Sequence, residues 1–204
     1  MLPTRLFEVI SVTSLLLSSL GPARRQSQSN DPPSLPFTDK GACPFEGCQY
    51  GSWIAGARAI ARRDSDTGSR IEFVIQSGEK ITALSGKVIT RQYGIVRARK
   101  PLAFDDIDTS KVPYSSRKLE IPAGAVLYVL HEEGEGYCLY WYNGAIHHQD
   151  LYAEGVHKGT DDFPWDVDSI PTTEWWVNVK NHAGQTGWIL NPTNFHGMDA
   201  LGGK

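Results

Sequence analysis

Nowhere does the chain hold about twenty consecutive apolar residues, the length a helix needs to cross a bilayer, so no integral membrane span is expected. It has no basic excess either. Lysine and arginine total 20 against 23 aspartates and glutamates, which leaves no surplus of positive charge to neutralise phosphates, and no nucleic-acid partner is expected. No G-x-S-x-G elbow, phosphate-binding loop or dinucleotide fingerprint occurs, so no cofactor is expected and no nucleophile is set up for acyl transfer. Cysteine is scarce, at three in 204 residues. Helical periodicity is missing from residues 53–100, where short apolar runs recur between turn residues instead.

What is present begins with Arg5 and an apolar stretch through Leu20, followed by Gly21, Pro22 and Ala23, a pattern that predicts a secretory signal peptide over 1–23 despite the charge at Glu8. A cleaved, secreted or periplasmic product is expected. Residues 24–40 turn to Arg, Gln, Ser, Asn, Asp and Pro, a composition too polar to offset the entropy of ordering it, and read as a disordered leader. Cys43 and Cys48 flank Pro44 and Gly47, both turn formers, so in an oxidising compartment they are expected to pair as a local staple. A zinc site is the alternative for this pair, but the C-x₂-C spacing and a second cysteine pair are both missing. Cys138 is left over as a buried thiol in a strand.

The remaining chain alternates strand and turn. Apolar runs at 53–54, 71–75, 81–84 and 94–98 predict a small β-barrel or sandwich over 41–100. Residues 101–118 read as a linker. From Leu119 the theme repeats, with residues 121–130 echoing residues 76–84, so a second module is expected over 119–190. Inside it, Tyr137 to Tyr142 form an aromatic strand, Asn143-Gly144 is a hairpin signal, and 147–172 reads as an insertion. Trp175, Trp176, Val177 and Val179, then Asn181 to Gly184, then Gly187, Trp188 and Ile189, predict a closing hairpin, with 191–204 as a tail. The overall expectation is an all-β protein.

The Trp-x-x-Val strand, its Gly-containing turn and the Gly184-x-x-Gly187-Trp188-Ile189 ending resemble the closing hairpin of bacterial SH3-like domains, often called SH3b. The polar loop with Arg62, Asp64, Asp66 and Ser69, followed by a strand and then by Gly78-Glu79-Lys80-Ile81, resembles the start of such a module. The resemblance implies two SH3-like barrels and a binding or scaffold role toward cell-wall peptides or envelope proteins. By strand alternation, Trp175, Val177 and Val179 should point into the core while Trp176 points out; likewise Leu139 and Trp141 should point in while Tyr140 and Tyr142 point out. Trp176, Tyr140 and Tyr142 are therefore the expected ligand-binding residues.

Other constellations are weaker. His147, His148 and Asp150, with His157 nearby, suggest a metal, but neighbours on a strand face opposite ways, so these read as solvated histidines. Asp161, Asp162, Asp166 and Asp168 lack the calcium-loop pattern and read as an acidic loop. Glu132, Glu133 and Glu135, in an apparent polar turn starting at His131, read as solubilising, although a weak hydrolase working through the carboxylates and histidines of 131–150 is the rival reading. Residues 51–100 carry a formal +6 and residues 101–204 a formal −9, which suggests two modules docked on one another.

Overall fold

A computed structural model of the chain describes residues 30–108, 115–151, 155–159 and 162–202. The expected signal peptide and the leader up to residue 29 lie outside the described residues, as do 109–114 of the expected linker and 152–154 and 160–161 of the expected insertion. The fold is all-β. In chain order the strands are β1 (Phe37–Lys40), β2 (Gly51–Ala55), β3 (Ala59–Arg62), β4 (Ile71–Ile75) and β5 (Lys80–Gln92). There follow β6 (Gly94–Ala98), β7 (Leu102–Asp108), β8 (Ser115–Ile121), β9 (Val126–Gly134) and β10 (Tyr137–Tyr142). The last five are β11 (Ala145–Asp150), β12 (Trp165–Ser169), β13 (Thr172–Lys180), β14 (Thr186–Leu190) and β15 (Phe195–His196).

The first sheet runs β15-β2-β5-β13-β14-β3-β4, with β1 also paired to β5. The second runs β12-β6-β9-β10-β11, and the β7–β8 ribbon lies beside β11, where the Gln149 side chain donates to the Asp105 carbonyl at 2.8 Å. Read in this direction the two sheets have the same strand order. Their turns match as well. In the first, the Gly78 N–H donates to the Ala55 carbonyl and the Ala55 N–H to that of Glu79; in the second, Gly124 donates to Ala98 and Ala98 to Ala125. Gly78 and Gly124 share a left-handed φ of 82° and 83°, which glycine adopts without steric cost. The echo between residues 76–84 and 121–130 is thus a repeat of structure.

The two units are nested, not consecutive, which corrects the expected boundaries 41–100 and 119–190. The whole second unit, from β6 to β12, is inserted between β5 and β13 of the first. The expected linker is the β7–β8 ribbon, in which Leu102, Phe104, Leu119 and Ile121 face the second core. The expected insertion carries β11 and β12, and β12 closes the second sheet against β6. The leader's last residues form β1 against β5, and Asn30 bonds the Val126 carbonyl and the Asn143 N–H. The tail supplies β15, which pairs with β2. β1, β12 and β15 are each held by pairing to a strand distant in sequence. The charge division at residue 100 follows neither unit, because basic Arg97 on β6 and Arg99 just after it belong with Asp168 and Asp166 on β12, at 3.3 and 3.4 Å. Those two aspartates are in a strand, not an acidic loop.

Each unit has its own core. Trp53, Ile75, Ile81, Val177, Val179 and Trp175 centre the first; Leu127, Val129, Tyr140, Leu151, Trp165 and Val167 centre the second. Between them, Val88, Ile89 and Thr90 of β5 are buried in succession, so both faces of that strand are covered, and the Thr90 hydroxyl donates to the Leu130 carbonyl at 2.7 Å. Cys43 and Cys48 are disulfide-bonded with Cα atoms 5.6 Å apart, and Phe45 in their loop packs edge-on against Trp175. Cys138 is a buried free thiol, as expected. Thiol counting on the unfolded, unreduced protein should find one reactive cysteine, rising to three after reduction. Three before reduction would refute the bond.

Candidate functional site

The β3–β4 turn is a polar loop that bonds to itself. Arg62 donates to the Ser69 carbonyl at 2.7 Å, the Ser69 hydroxyl donates to Asp64 at 3.0 Å, and the Asp66 carboxylate accepts from the Gly68 N–H at 2.6 Å. Opposite this wall the chain leaves β14 at Asn191, whose φ of 43° lies in the left-handed region that asparagine tolerates. There Asn191 clasps Trp175 twice: its N–H donates to the Trp175 carbonyl at 2.7 Å and its side-chain oxygen accepts from the Trp175 N–H at 2.8 Å. Residues 191–195 are thereby held as a ridge. Between loop and ridge lies a groove of about 380 Å³, lined by Arg58, Ile60, Arg62, Thr67, Leu190 and Pro192 among others, and without a carboxylate in its lining. On the far side of the ridge, Asn191 and Thr193 also border a second depression of about 470 Å³ with Pro44, Pro171, Trp175 and His131.

Of the expected ligand-binding rings, two are not at the surface. Trp176 borders the groove but is itself fully buried, and Tyr140 is fully buried in the second core. Tyr142 is half-buried and packs against that core. In β13 the inward set is as expected, with Trp175, Val177 and Val179 in the first core. Trp176 points the other way and is covered nonetheless; its indole N–H donates to Glu174 at 2.9 Å, and Arg91 grips the same carboxylate with two bonds at 2.9 and 3.0 Å. In β10 the alternation is reversed: Cys138 and Tyr140 point in, while Leu139 and Trp141 are half-buried. The register shifts beside Cys138 and Leu139 skip Glu133 and Leu130 and so belong to β9; β10 itself alternates, but a strand apolar at nearly every position does not show in sequence which parity faces the core.

The histidines also move from their expected places. His147 and His148 lie on β11 with opposite exposure, as strand alternation requires. His147 is buried, stacked on Tyr140 and close to the Tyr142 carbonyl, so it is not a solvated loop residue. His148 Nδ1 lies 2.8 Å from Glu133, which raises its pKa. His157 makes a bridge to Val167. His131, expected in a turn, is a strand residue buried at the seam, with Nε2 2.9 Å from Asp39 and Nδ1 2.9 Å from the Glu132 carbonyl. Burial pulls its pKa down, but the bonds to Asp39 and Glu132 and the charges of Asp39 and Glu133 outweigh this, and the net shift is upward. The oxygens and nitrogen of Asp39, His131 and Glu133 all lie within 4.8 Å of one another. Nothing in sequence marked this group, because its members sit 92 residues apart, in what read as a leader and a polar turn.

Among the described residues no helix is long and apolar enough to cross a membrane. The chain matches no protein-family model, no curated protein and no solved structure.

Two outcomes follow from the clasp around Trp176. Trp176→Ala should lower unfolding free energy by about 3–5 kcal/mol, comparable to Trp175→Ala, in denaturant titrations; a much smaller effect would return the ring to the surface. Glu174 is held below the ordinary carboxylate range by its bonds to Arg91, with burial opposing and Trp176 assisting. A depressed folded-state pKa gives stability that is fully present above the unfolded value near 4.5 and lost as pH falls through the folded one. Glu174→Gln should therefore cost about 1–2 kcal/mol at neutral pH, and the gap to wild type should narrow as pH falls below 4.5 and through the folded-state value. A gap independent of pH would show that the charge is immaterial.

Proposed function

We propose that the chain is an exported, non-catalytic binding or scaffold protein of the cell envelope, built from two SH3-like units, and that it holds an extended cell-wall peptide or envelope-protein segment in the groove between the β3–β4 loop and residues 191–195. The observation that carries this reading is the groove itself, lined by two arginines and several apolar side chains and by no carboxylate. Such a surface suits a short peptide with a free carboxylate, which arginine engages by paired hydrogen bonds. The position also supports it, since the groove borders Trp176 on the hairpin that resembles the SH3b closing hairpin. In the sequence reading that ring itself made the contact; here it backs the groove, and Arg58 and the ridge take over. Export is supported by the Cys43–Cys48 bond, because structural disulfides persist in oxidising compartments.

The rival is a weak cell-wall hydrolase acting through residues 131–150, favoured by the close pairing of Glu133 with His148. Co-sedimentation with purified cell-wall sacculi decides between them. Wild type should pellet with the sacculi, Arg58→Glu should weaken pelleting about tenfold, equal to about 1.4 kcal/mol, and the melting temperature should stay the same. Wild type that remains in the supernatant would sink the cell-wall reading. Zymographic lysis abolished by Glu133→Gln would replace binding by hydrolysis.

A further inference from the structure

We propose that Asp39, His131 and Glu133 form a binding site for a divalent transition-metal ion of the zinc type, at the seam where β1 meets the second unit. The site is independent of the groove reading. Its nitrogen ligand is prepared for the task. The Glu132 carbonyl can only accept, so Nδ1 of His131 carries the hydrogen and donates it, leaving Nε2 directed at the two carboxylates. Metal-binding imidazoles are commonly oriented this way, by a backbone carbonyl on the second ring nitrogen. With 2% of its side chain exposed, the ring has no freedom to turn away.

The oxygen ligands are placed by different strands. Asp39 comes from β1 and lies 2.9 Å from Nε2, while Glu133, two residues after His131, sits at a bulge of β9 and has its carboxylate within 4.8 Å of the other two ligand atoms. His148 Nδ1 lies 2.8 Å from Glu133 and helps to hold that carboxylate in place. Tetrahedral ligands about 2.1 Å from zinc stand about 3.4 Å apart. The three atoms already lie within 4.8 Å, and both carboxylates, about 30% and 22% exposed, can rotate to close the difference.

The Glu133 end of the group opens to solvent. A depression of about 220 Å³ beside Glu133 is lined by Glu46, Gly134, Glu135, Tyr137 and His148, and its carboxylates attract cations. Gly134, at φ 103°, is required here, because a Cβ would collide with the Glu46 backbone and push the Cys43–Cys48 loop off the site. The donor set of one imidazole nitrogen and two carboxylate oxygens selects zinc or its neighbours, whereas calcium takes six to eight oxygens.

The full chain, stripped with chelator and dialysed, should take up one equivalent of Zn²⁺ in competition with a chromophoric indicator, with micromolar or tighter affinity. Asp39→Asn and Glu133→Gln should each weaken uptake at least tenfold, and cobalt substitution should give a visible spectrum of a nitrogen–oxygen site. Arg58→Glu should retain the metal in full, which separates this site from the groove. If Asp39→Asn does not fold, Glu133→Gln decides, since that side chain is partly exposed. Zinc retained equally by these variants, no zinc retained at micromolar concentration, or calcium competing on equal terms would overturn the proposal.

Discussion

The pairing of β13 with β5 is the constraint on which the rest of this structure depends. Its register runs from Thr172 opposite Gln92 to Lys180 opposite Thr82, so the first sheet closes only after the chain has travelled through the entire second unit. Loop-closure entropy alone does not forbid this, because each doubling of loop length adds only about 0.6 kcal/mol. What matters is whether the inserted segment returns its ends to one place. It does, because its first and last strands, β6 and β12, are antiparallel neighbours, with Ile95 opposite Ser169. Gly94 lets the two ends pass, since a Cβ there would meet Pro171 and the Ser169 carbonyl. The second unit therefore acts as a folded clasp that presents β13 to β5 already in register.

That nesting explains what sequence could and could not show. Local signals were legible: Asn143 and Gly144 take the left-handed φ values of 49° and 82° that a two-residue hairpin turn demands, and Gly184 does the same in the closing hairpin. The repeat of Gly78 and Gly124 was legible for the same reason, that turn chemistry is encoded within a few residues. Which strand pairs with which is not local. Residues 174–189 look the same whether their hairpin joins the unit before it or the one begun a hundred residues earlier, and only the pairing of Trp175 with Val88 decides. Pairing also rescued segments that composition alone would leave unstructured, such as β1 on β5.

The aromatic residues show a second limit. Alternation predicts which side of a strand a side chain takes, and in β13 it did so correctly. It does not say what covers the outer side. Trp176 leaves the core yet has no exposed surface; its N–H donates to Glu174, which Arg91 holds in turn, and along the same sheet the Lys87 ammonium lies 4.4 Å over the Trp188 ring. Burial pushes the Lys87 pKa down, with Lys40 adding to the effect. Long polar side chains thus cover the outer rings by their stems, and an aromatic ring on an outer face is by itself weak evidence for a binding surface.

The seam between the units follows from the same topology. Nesting brings the end of β5 and the strand before the disulfide loop against β9, so a buried threonine meets a carbonyl forty residues away and Asp39 meets His131 across 92. Such polar contacts are costly to bury unless each partner is satisfied, and they then hold one relative placement of the units where apolar contact would permit several. Two carboxylates meet at His131, and a second imidazole, His148, lies 2.8 Å from Glu133. One aspartate would satisfy His131, and Glu133 adds a second negative charge at a position where bringing like charges together costs stability. Protonated His131 and His148 offset that repulsion, and a cation bound between the two carboxylates would offset it wherever they are ionised.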